Sequence, residues 1–225
     1  MTPPVGAVFF DLYGTLVDLA GLEAACDEAA PGHGGELAAR WRARQLEATW
    51  LRTCMGRWAD FEEVTSDALA VAAAELSLYD EALAPALEEA WSRLSPRPGV
   101  SALLDRLDAA GLPAGVLSNG SIGMIRATLA GAGIGDRFGH LLSADGARAF
   151  KPAPAVYRLA TDATGLEAER IGFVTANGWD AAGAAAFGLT VVWLGALDGS
   201  LPAVGPLERP PVAAALSEVA ARFGA

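Results

Sequence analysis

The feature that most limits the fold of this chain is an alternation of helix-like and strand-like segments that sets in at Val100. Residues 100–110 carry apolar side chains at helical spacing, and 113–118 form a short apolar run of strand type. A helix over 121–131, a strand over 140–145 and a helix over 153–164 follow. Next come a strand at 171–175, a helix at 179–187, a strand at 190–194 and a last helix at about 211–223. Strands separated by helices join in parallel, and the helices then cover both faces of the sheet. The expected class is α/β, a Rossmann-like doubly wound parallel sheet.

One further strand precedes this alternation. Residues 5–10 are a short run rich in valine and phenylalanine, of the type buried on both faces. Residues from about 19 to 94 then read as helix after helix, dominated by Ala, Leu, Glu and Arg. Pro96, Pro98 and Gly99 close that block. The expected organisation is a core domain from 1–16 and 98–225, with a helical cap domain over 17–97 inserted after the first strand. No internal repeat or low-complexity linker interrupts it.

Ligands bind such sheets beyond the carboxyl ends of the strands. Asp11 ends the first strand, and Ser118 and Asn119 end the second. Lys151 follows the third, and Thr175, Asn177 and Asp180 follow the fourth. Composition makes this rim unusual. Of 16 cationic side chains 15 are arginine, leaving Lys151 as the sole lysine; the chain has two asparagines, Asn119 and Asn177, and one glutamine, Gln45. Residue types swept from the surface survive on one edge of the sheet, which points to an active site there.

The residue types suggest chemistry. Asp11, beside a lysine, suits a rigidly held nucleophile, although a turn cap is the common role of such an Asp. The segment Leu-Ser-Asn-Gly-Ser (117–121) runs from a strand end into a helix start, whose hydroxyls and free N–H groups can bind phosphate or carboxylate. Lys151 offers a compact charge, held by Pro152 and Pro154, to bridge Asp11, Asp180 and a substrate anion. Asp180 can orient that lysine or take a proton from water. His33 and His140 lie in ordinary loop and strand-start contexts, so no Ser–His pair competes with Asp11. On a helix from about 36 to 56, Arg42 points within roughly 40–80° of Leu46 and Trp50, whereas Arg40 and Arg44 point about 160° away. A cation among apolar neighbours needs an anion, unless its stem merely covers apolar surface.

The formal charge of −11 disfavours nucleic-acid and anionic-membrane partners, so an anionic substrate has to be captured by local positive groups. Mean hydropathy is positive, yet no apolar stretch nears the roughly 20 residues of a membrane span. No signal-like segment follows the opening Met-Thr-Pro-Pro-Val, and the only cysteines, Cys26 and Cys54, are expected to be reduced thiols of a cytoplasmic protein.

With these segments in hand, the chain resembles the haloacid dehalogenase superfamily, and within it the L-2-haloacid dehalogenases. Asp-Leu-Tyr-Gly-Thr (11–15), Leu-Ser-Asn-Gly-Ser (117–121), Lys-Pro-Ala-Pro-Ala-Val-Tyr (151–157) and Asn-Gly-Trp-Asp (177–180) carry the likeness, with Trp-Arg-Ala-Arg-Gln-Leu-Glu-Ala-Thr-Trp (41–50) in the cap. Thr175 departs from the serine of relatives but keeps a hydroxyl. The resemblance implies hydrolysis of small 2-haloalkanoic acids through an ester on Asp11, L substrate giving D product, with no metal or cofactor. It implies catalytic roles for Asp11, Thr15, Lys151, Thr175, Asn177 and Asp180. It implies contact with the substrate or its halide leaving group for Leu12, Tyr13, Arg42, Leu46, Phe61, Ser118, Asn119, Tyr157 and Trp179. A homodimer is a further expectation of the same kind.

The rival reading is a magnesium-dependent phosphatase of the same superfamily. That reaction needs a carboxylate at position 13 to protonate the leaving alcohol, and oxygen ligands for the metal. Position 13 is tyrosine, a poor acid and a poor magnesium ligand, and position 177 is asparagine. A non-catalytic binding protein is disfavoured because the carboxylate and the lysine are both intact.

Overall fold

The structure is a computed structural model and describes residues 5–78, 83–195, 211–213 and 215–225. Strands β1 (Ala7–Phe10), β2 (Ala114–Ser118), β3 (His140–Ser143), β4 (Ile171–Thr175) and β5 (Thr190–Trp193) form one sheet in the order β3-β2-β1-β4-β5. Every neighbouring pair is parallel, as the helical connections require. β1, β2 and β4 are buried along their whole length, which is why they read as unbroken apolar runs. The strand order reverses between β1 and β4. The ends of these two strands, followed by Asp11 and by Ala176, therefore flank the switch point, the place where open α/β sheets bind their ligands.

Between β1 and β2 the chain forms α1 (Ala20–Ala29), α2 (Gly34–Met55), α3 (Phe61–Glu75), α4 (Leu83–Ala90) and a 3₁₀ turn, Trp91–Arg93. These helices pack mainly on one another: α2 lies on α1 and α3, and α4 on α1 and α3. Asp60 caps α3 by accepting from the Glu63 N–H at 2.8 Å, and Gly56 ends α2 in the left-handed conformation. The chain enters and leaves this helical block side by side. Val17 and Pro96 form an antiparallel bridge, the Asp18 N–H donates to Ser95 O, and the Arg97 N–H donates to Leu16 O. Gly14, at φ +82°, makes the turn that allows this crossing directly after Asp11. The Arg97 guanidinium seals it by donating to Gly14 O at 2.9 Å.

The remaining helices are α5 (Val100–Ala109), which precedes β2, and after β2 α6 (Ile122–Gly131), α7 (Pro154–Thr164), α8 (Gly178–Phe187) and α9 (Val219–Arg222). Two expectations need correction. The strand expected over 140–145 stops at Ser143, whose hydroxyl accepts from the Asp145 N–H and turns the chain into a 3₁₀ segment, Ala144–Ala147. The helix expected over 211–223 shrinks to a 3₁₀ turn, Leu216–Glu218, followed by α9. Its first part instead runs beside the end of β5: the Trp193 N–H donates to Pro211 O and the Ala213 N–H to Trp193 O. Backbone pairing with an open sheet edge outweighs the helix propensity of the alanines there. Among the described residues no helix is long and apolar enough to cross a membrane.

The sheet centre tolerates no added volume at Gly115, where a Cβ would lie 2.5 Å from the Phe9 ring. Gly115→Ala should cost about 1–3 kcal/mol through overpacking. Urea unfolding checks this, and an unchanged midpoint would contradict the packing described.

Candidate active site

Asp11 is the first residue beyond β1, and its N–H donates to Val174 O, which holds it at the sheet edge. Its two carboxylate oxygens are treated differently. Oδ2 accepts from Thr15 Oγ1 at 3.0 Å and from Asn177 Nδ2 at 2.8 Å. Oδ1 accepts from Lys151 Nζ at 3.2 Å. Thr15 lies one tight turn after Asp11, and its oxygen also accepts from the Ala176 N–H at 2.9 Å, so its proton is committed to Asp11. Thr175 accepts from the Asn177 N–H at 3.1 Å and shapes the turn that delivers Asn177.

Lys151 is wholly buried, and its ammonium bridges two carboxylates: it lies 2.9 Å from Asp180 Oδ2 as well as touching Asp11. It also stands 4.8 Å from the centre of the Phe173 ring. The other Asp180 oxygen accepts from the Tyr157 hydroxyl at 2.7 Å. Both oxygens of Asp180 are thus engaged, Oδ2 by the Lys151 ammonium and Oδ1 by the Tyr157 hydroxyl. Tyr157, expected at the substrate, has its hydroxyl on Asp180 and is fully buried. Burial raises the Asp180 carboxyl above the ordinary carboxylate value, with Lys151 opposing and Asp11 adding to the rise. The backbone before the prolines is pinned at two points. The Lys151 N–H donates to Asn119 Oδ1 at 2.9 Å, and the Phe150 N–H donates to Thr53 Oγ1 at 3.0 Å, tying α2 to this loop.

At the end of β2, Ser118 is buried and its oxygen accepts from the Gly120 N–H at 3.1 Å, leaving its proton to donate. Asn119 spends Oδ1 on Lys151, so its Nδ2 is the end left for a ligand. Ser121 caps α6 by accepting from the Met124 N–H and donates to Glu62 of α3 at 2.7 Å.

Arg42 enters from α2. Its guanidinium donates to Gln45 Oε1 at 2.6 Å, and its nearest anionic influence is Asp11. Burial lowers its pKa, so the cation is held in a place that disfavours charge. Arg40 and Arg44 point outward, as their helical phase requires, and pair with Glu36, Glu47 and Glu75. Aromatic rings close the space beside Asp11. Tyr13 stacks on Phe61 at 6.2 Å and meets the edge of Trp91 at 4.9 Å, and its hydroxyl lies 3.3 Å from Thr128 Oγ1. Phe150 packs on Phe61 and Trp58. Trp179 is half-buried against Trp50, Leu46 is half-buried on α2, and Leu12 is fully buried under the turn.

Among the described residues no group of three or more His, Cys, Asp or Glu side chains gathers to hold a metal ion. The ammonium of Lys151 sits between Asp11 and Asp180. Burial pushes the Tyr13 hydroxyl up to about 12, so it stays protonated and releases no proton at neutral pH. Sequence reasoning missed Phe150, Trp91, Thr53, Glu62 and the partners of Gln45. Only Gln45 carried a signal, as the sole glutamine.

Comparison with known proteins agrees with this geometry. Residues 5–188 match the haloacid dehalogenase-like hydrolase family. The chain is 44% identical over 191 residues to an (S)-2-haloacid dehalogenase of Pseudomonas sp. (strain YL), spanning 84% of this chain and 82% of the relative. It is 41% identical over 191 residues to haloacetate dehalogenase H-2 of Moraxella sp. (strain B), spanning 84% and 85%. The structure of L-2-haloacid dehalogenase from Xanthobacter autotrophicus with chloropropionic acid covalently bound superimposes with a TM-score of 0.87 at 34% identity, covering 96% of this chain and 97% of that one.

Removing the bridging ammonium strands two buried carboxylates. Lys151→Met should destabilise the fold by about 3–5 kcal/mol at neutral pH. The sign of its pH dependence follows from Asp180. The native state holds the Asp180 proton more tightly than the unfolded chain does, so its contribution to stability grows as pH falls from the raised native pKa toward the ordinary 3.8. Without Lys151, which opposes that rise, the Asp180 carboxyl of the variant is raised further, so the variant gains more stability than the parent as pH falls and its deficit should shrink on mild acidification. Urea unfolding at neutral and mildly acidic pH checks this; a deficit that grows in acid would contradict it.

Proposed function

The chain belongs to the haloacid dehalogenase-like hydrolases and, among them, to the (S)-2-haloacid dehalogenases, hydrolases of carbon–halide bonds, and from that premise we propose that it converts small L-2-haloalkanoic acids to D-2-hydroxy acids with inversion and without a metal ion. The observation that carries the reading is the asymmetry of Asp11. Among the described residues Oδ2 is held by two neutral donors, whereas Oδ1 accepts from Lys151 alone, at the longer 3.2 Å.

In the first step Oδ1 attacks C2 on the face opposite the halogen. The Oδ1–C2 bond forms as the carbon–halogen bond breaks, and halide leaves with the bonding pair. Ser118, Lys151 and N–H groups at the end of β2 bind the substrate carboxylate. Arg42 and Asn119 Nδ2 receive the halide as its charge develops, an interaction that strengthens in the transition state. Leu12, Tyr13, Leu46, Phe61 and Trp179 supply apolar walls. Fixing attacker and substrate in one geometry lowers the barrier by roughly 7–11 kcal/mol in the most favourable intramolecular cases.

In the second step water attacks Cγ of the ester on Asp11. Oδ2 is now the carbonyl oxygen and gains negative charge. Thr15 and Asn177 already point at it, as preorganised oxyanion donors should. Cleavage of the Cγ–Oδ1 bond releases the hydroxy acid with Oδ1 as its hydroxyl oxygen; one proton of the attacking water ends on that oxygen and the other passes to solvent as the Asp11 carboxylate re-forms, so C2 is inverted once. Thr175 acts through Asn177, and Asp180 and Tyr157 act through Lys151. Residues 17–97 are the cap over a core of 1–16 and 98–225, a division supported by the paired crossings at Val17 and Pro96. Exposed Leu51, Met55 and Val71 on α2 and α3 support a homodimer, and the composition supports a cytoplasmic location.

The phosphatase reading lacks its acid at Tyr13 and its metal ligands, so no step is routed through magnesium. A panel of L- and D-2-haloacids decides between the two. L-2-chloropropionate should release chloride and yield D-lactate at the same rate with and without a chelator, while phosphate esters remain untouched. Loss of turnover in chelator, restored by magnesium, would overturn the reading. Lys151→Arg keeps the charge but not the compact bridge, and its kcat should fall at least about 100-fold; near-normal turnover would contradict the role given to Lys151.

A further inference from the structure

We infer that Gln45 is a positioning residue: it orients Arg42 toward the leaving group while leaving the guanidinium charge unspent. The inference rests on Arg42 as the cation that receives halide and deepens that reading.

Gln45 is wholly buried and bonded at both ends. Its Oε1 accepts from Arg42 at 2.6 Å, and its Nε2 donates to Thr65 Oγ1 at 2.6 Å. Thr65 settles which end is which. Its only hydroxyl proton goes to Phe61 O at 2.5 Å, so toward Gln45 it can only accept. The amide nitrogen therefore faces Thr65 and the amide oxygen faces Arg42. Trp41 locks the same turn by donating to Thr65 O at 2.8 Å. A one-way relay thus runs from Arg42 through Gln45 and Thr65 to the backbone of Phe61, whose ring stacks on Tyr13 beside Asp11.

The neutral amide is the informative part. On the same helix Arg44 pairs with Glu47 at the same i,i+3 spacing that separates Arg42 from Gln45. Glutamate is the partner on the outer face, and the sole glutamine of the chain is the partner on the inner face. A carboxylate at position 45 would satisfy the guanidinium equally well in geometry but would cancel its charge. In a buried site that cancellation removes the attraction for a departing anion. Among the described residues Arg42 forms no ion pair, which fits a cation kept available.

Gln45→Glu tests this: it keeps the shape and the acceptor toward Arg42 and adds a charge, while giving up the donor that Nε2 presents to Thr65 Oγ1. With the variant folded by near-ultraviolet circular dichroism, kcat on L-2-chloropropionate should fall about 100-fold. Inhibition by added bromide should weaken about tenfold, a difference of about 1.4 kcal/mol. A loss of kcat with bromide inhibition unchanged would mark a merely structural role and overturn the proposal, as would parental values of both. Gln45→Met, which keeps the charge balance and removes the acceptor, decides the matter if the first variant does not fold: lowered kcat with weakened bromide inhibition supports the relay, and parental kcat overturns it. Arg42→Lys separates the two levels. Near-parental kcat there would sink the role of Arg42 itself, whereas an impaired Arg42→Lys beside undisturbed Gln45 variants would sink only the relay.

Discussion

An ammonium wholly removed from water and shared by two carboxylates is the constraint around which this protein is arranged. Such a cluster is not an economical source of stability, because taking charges out of water offsets much of their attraction. Its value lies in geometry. Lys151 can bridge Asp11 and Asp180 only if β1 and β4 are neighbours, which the strand order provides. The bridge also needs a loop after β3 fixed in height, which Asn119 and Thr53 provide through the N–H groups of Lys151 and Phe150. Gly183 of α8 completes the support: a Cβ there would press into Pro152 and the Tyr157 hydroxyl, both of which flank the lysine.

The second organising theme is how charge is balanced. Asp11 and Asp180 face Lys151 and Arg42, so the site is near neutrality although the chain carries −11. An anionic substrate enters a place where the local field differs from the global one. Neutral amides do the orienting: Asn177 on Asp11, Asn119 on the Lys151 backbone, Gln45 on Arg42. Each fixes a charged group without cancelling it. That is a physical reason for amides to persist in a chain otherwise nearly free of them. Burial completes the arrangement by holding Tyr13 protonated beside Asp11.

Legibility from sequence divided along a clear line. Properties local to a segment could be read: apolar runs for β1, β2 and β4, the helical phase that turns Arg42 inward and Arg40 and Arg44 outward, and the rim position of Lys151. Contacts between segments distant in the chain could not. Nothing in the pattern around Phe150 says that its N–H meets Thr53, or that Ser121 will reach Glu62. Tyr157 shows the same limit: its motif placed it near the site, but only the fold reveals that its hydroxyl is spent on Asp180. The C-terminal segment failed for a different reason. An alanine-rich stretch favours helix in isolation, yet the backbone of 211–213 is taken up beside β5.

The central claim is that Asp11 attacks carbon and is regenerated by hydrolysis of its own ester. A single turnover in oxygen-18 water, followed by mass spectrometry of the peptide containing Asp11 and of the released hydroxy acid, tests it most directly. The account predicts the heavy oxygen in the Asp11 carboxylate and an unlabelled product hydroxyl. Label in the product alone, with an unlabelled Asp11, would show that water attacks C2 directly and would contradict the account.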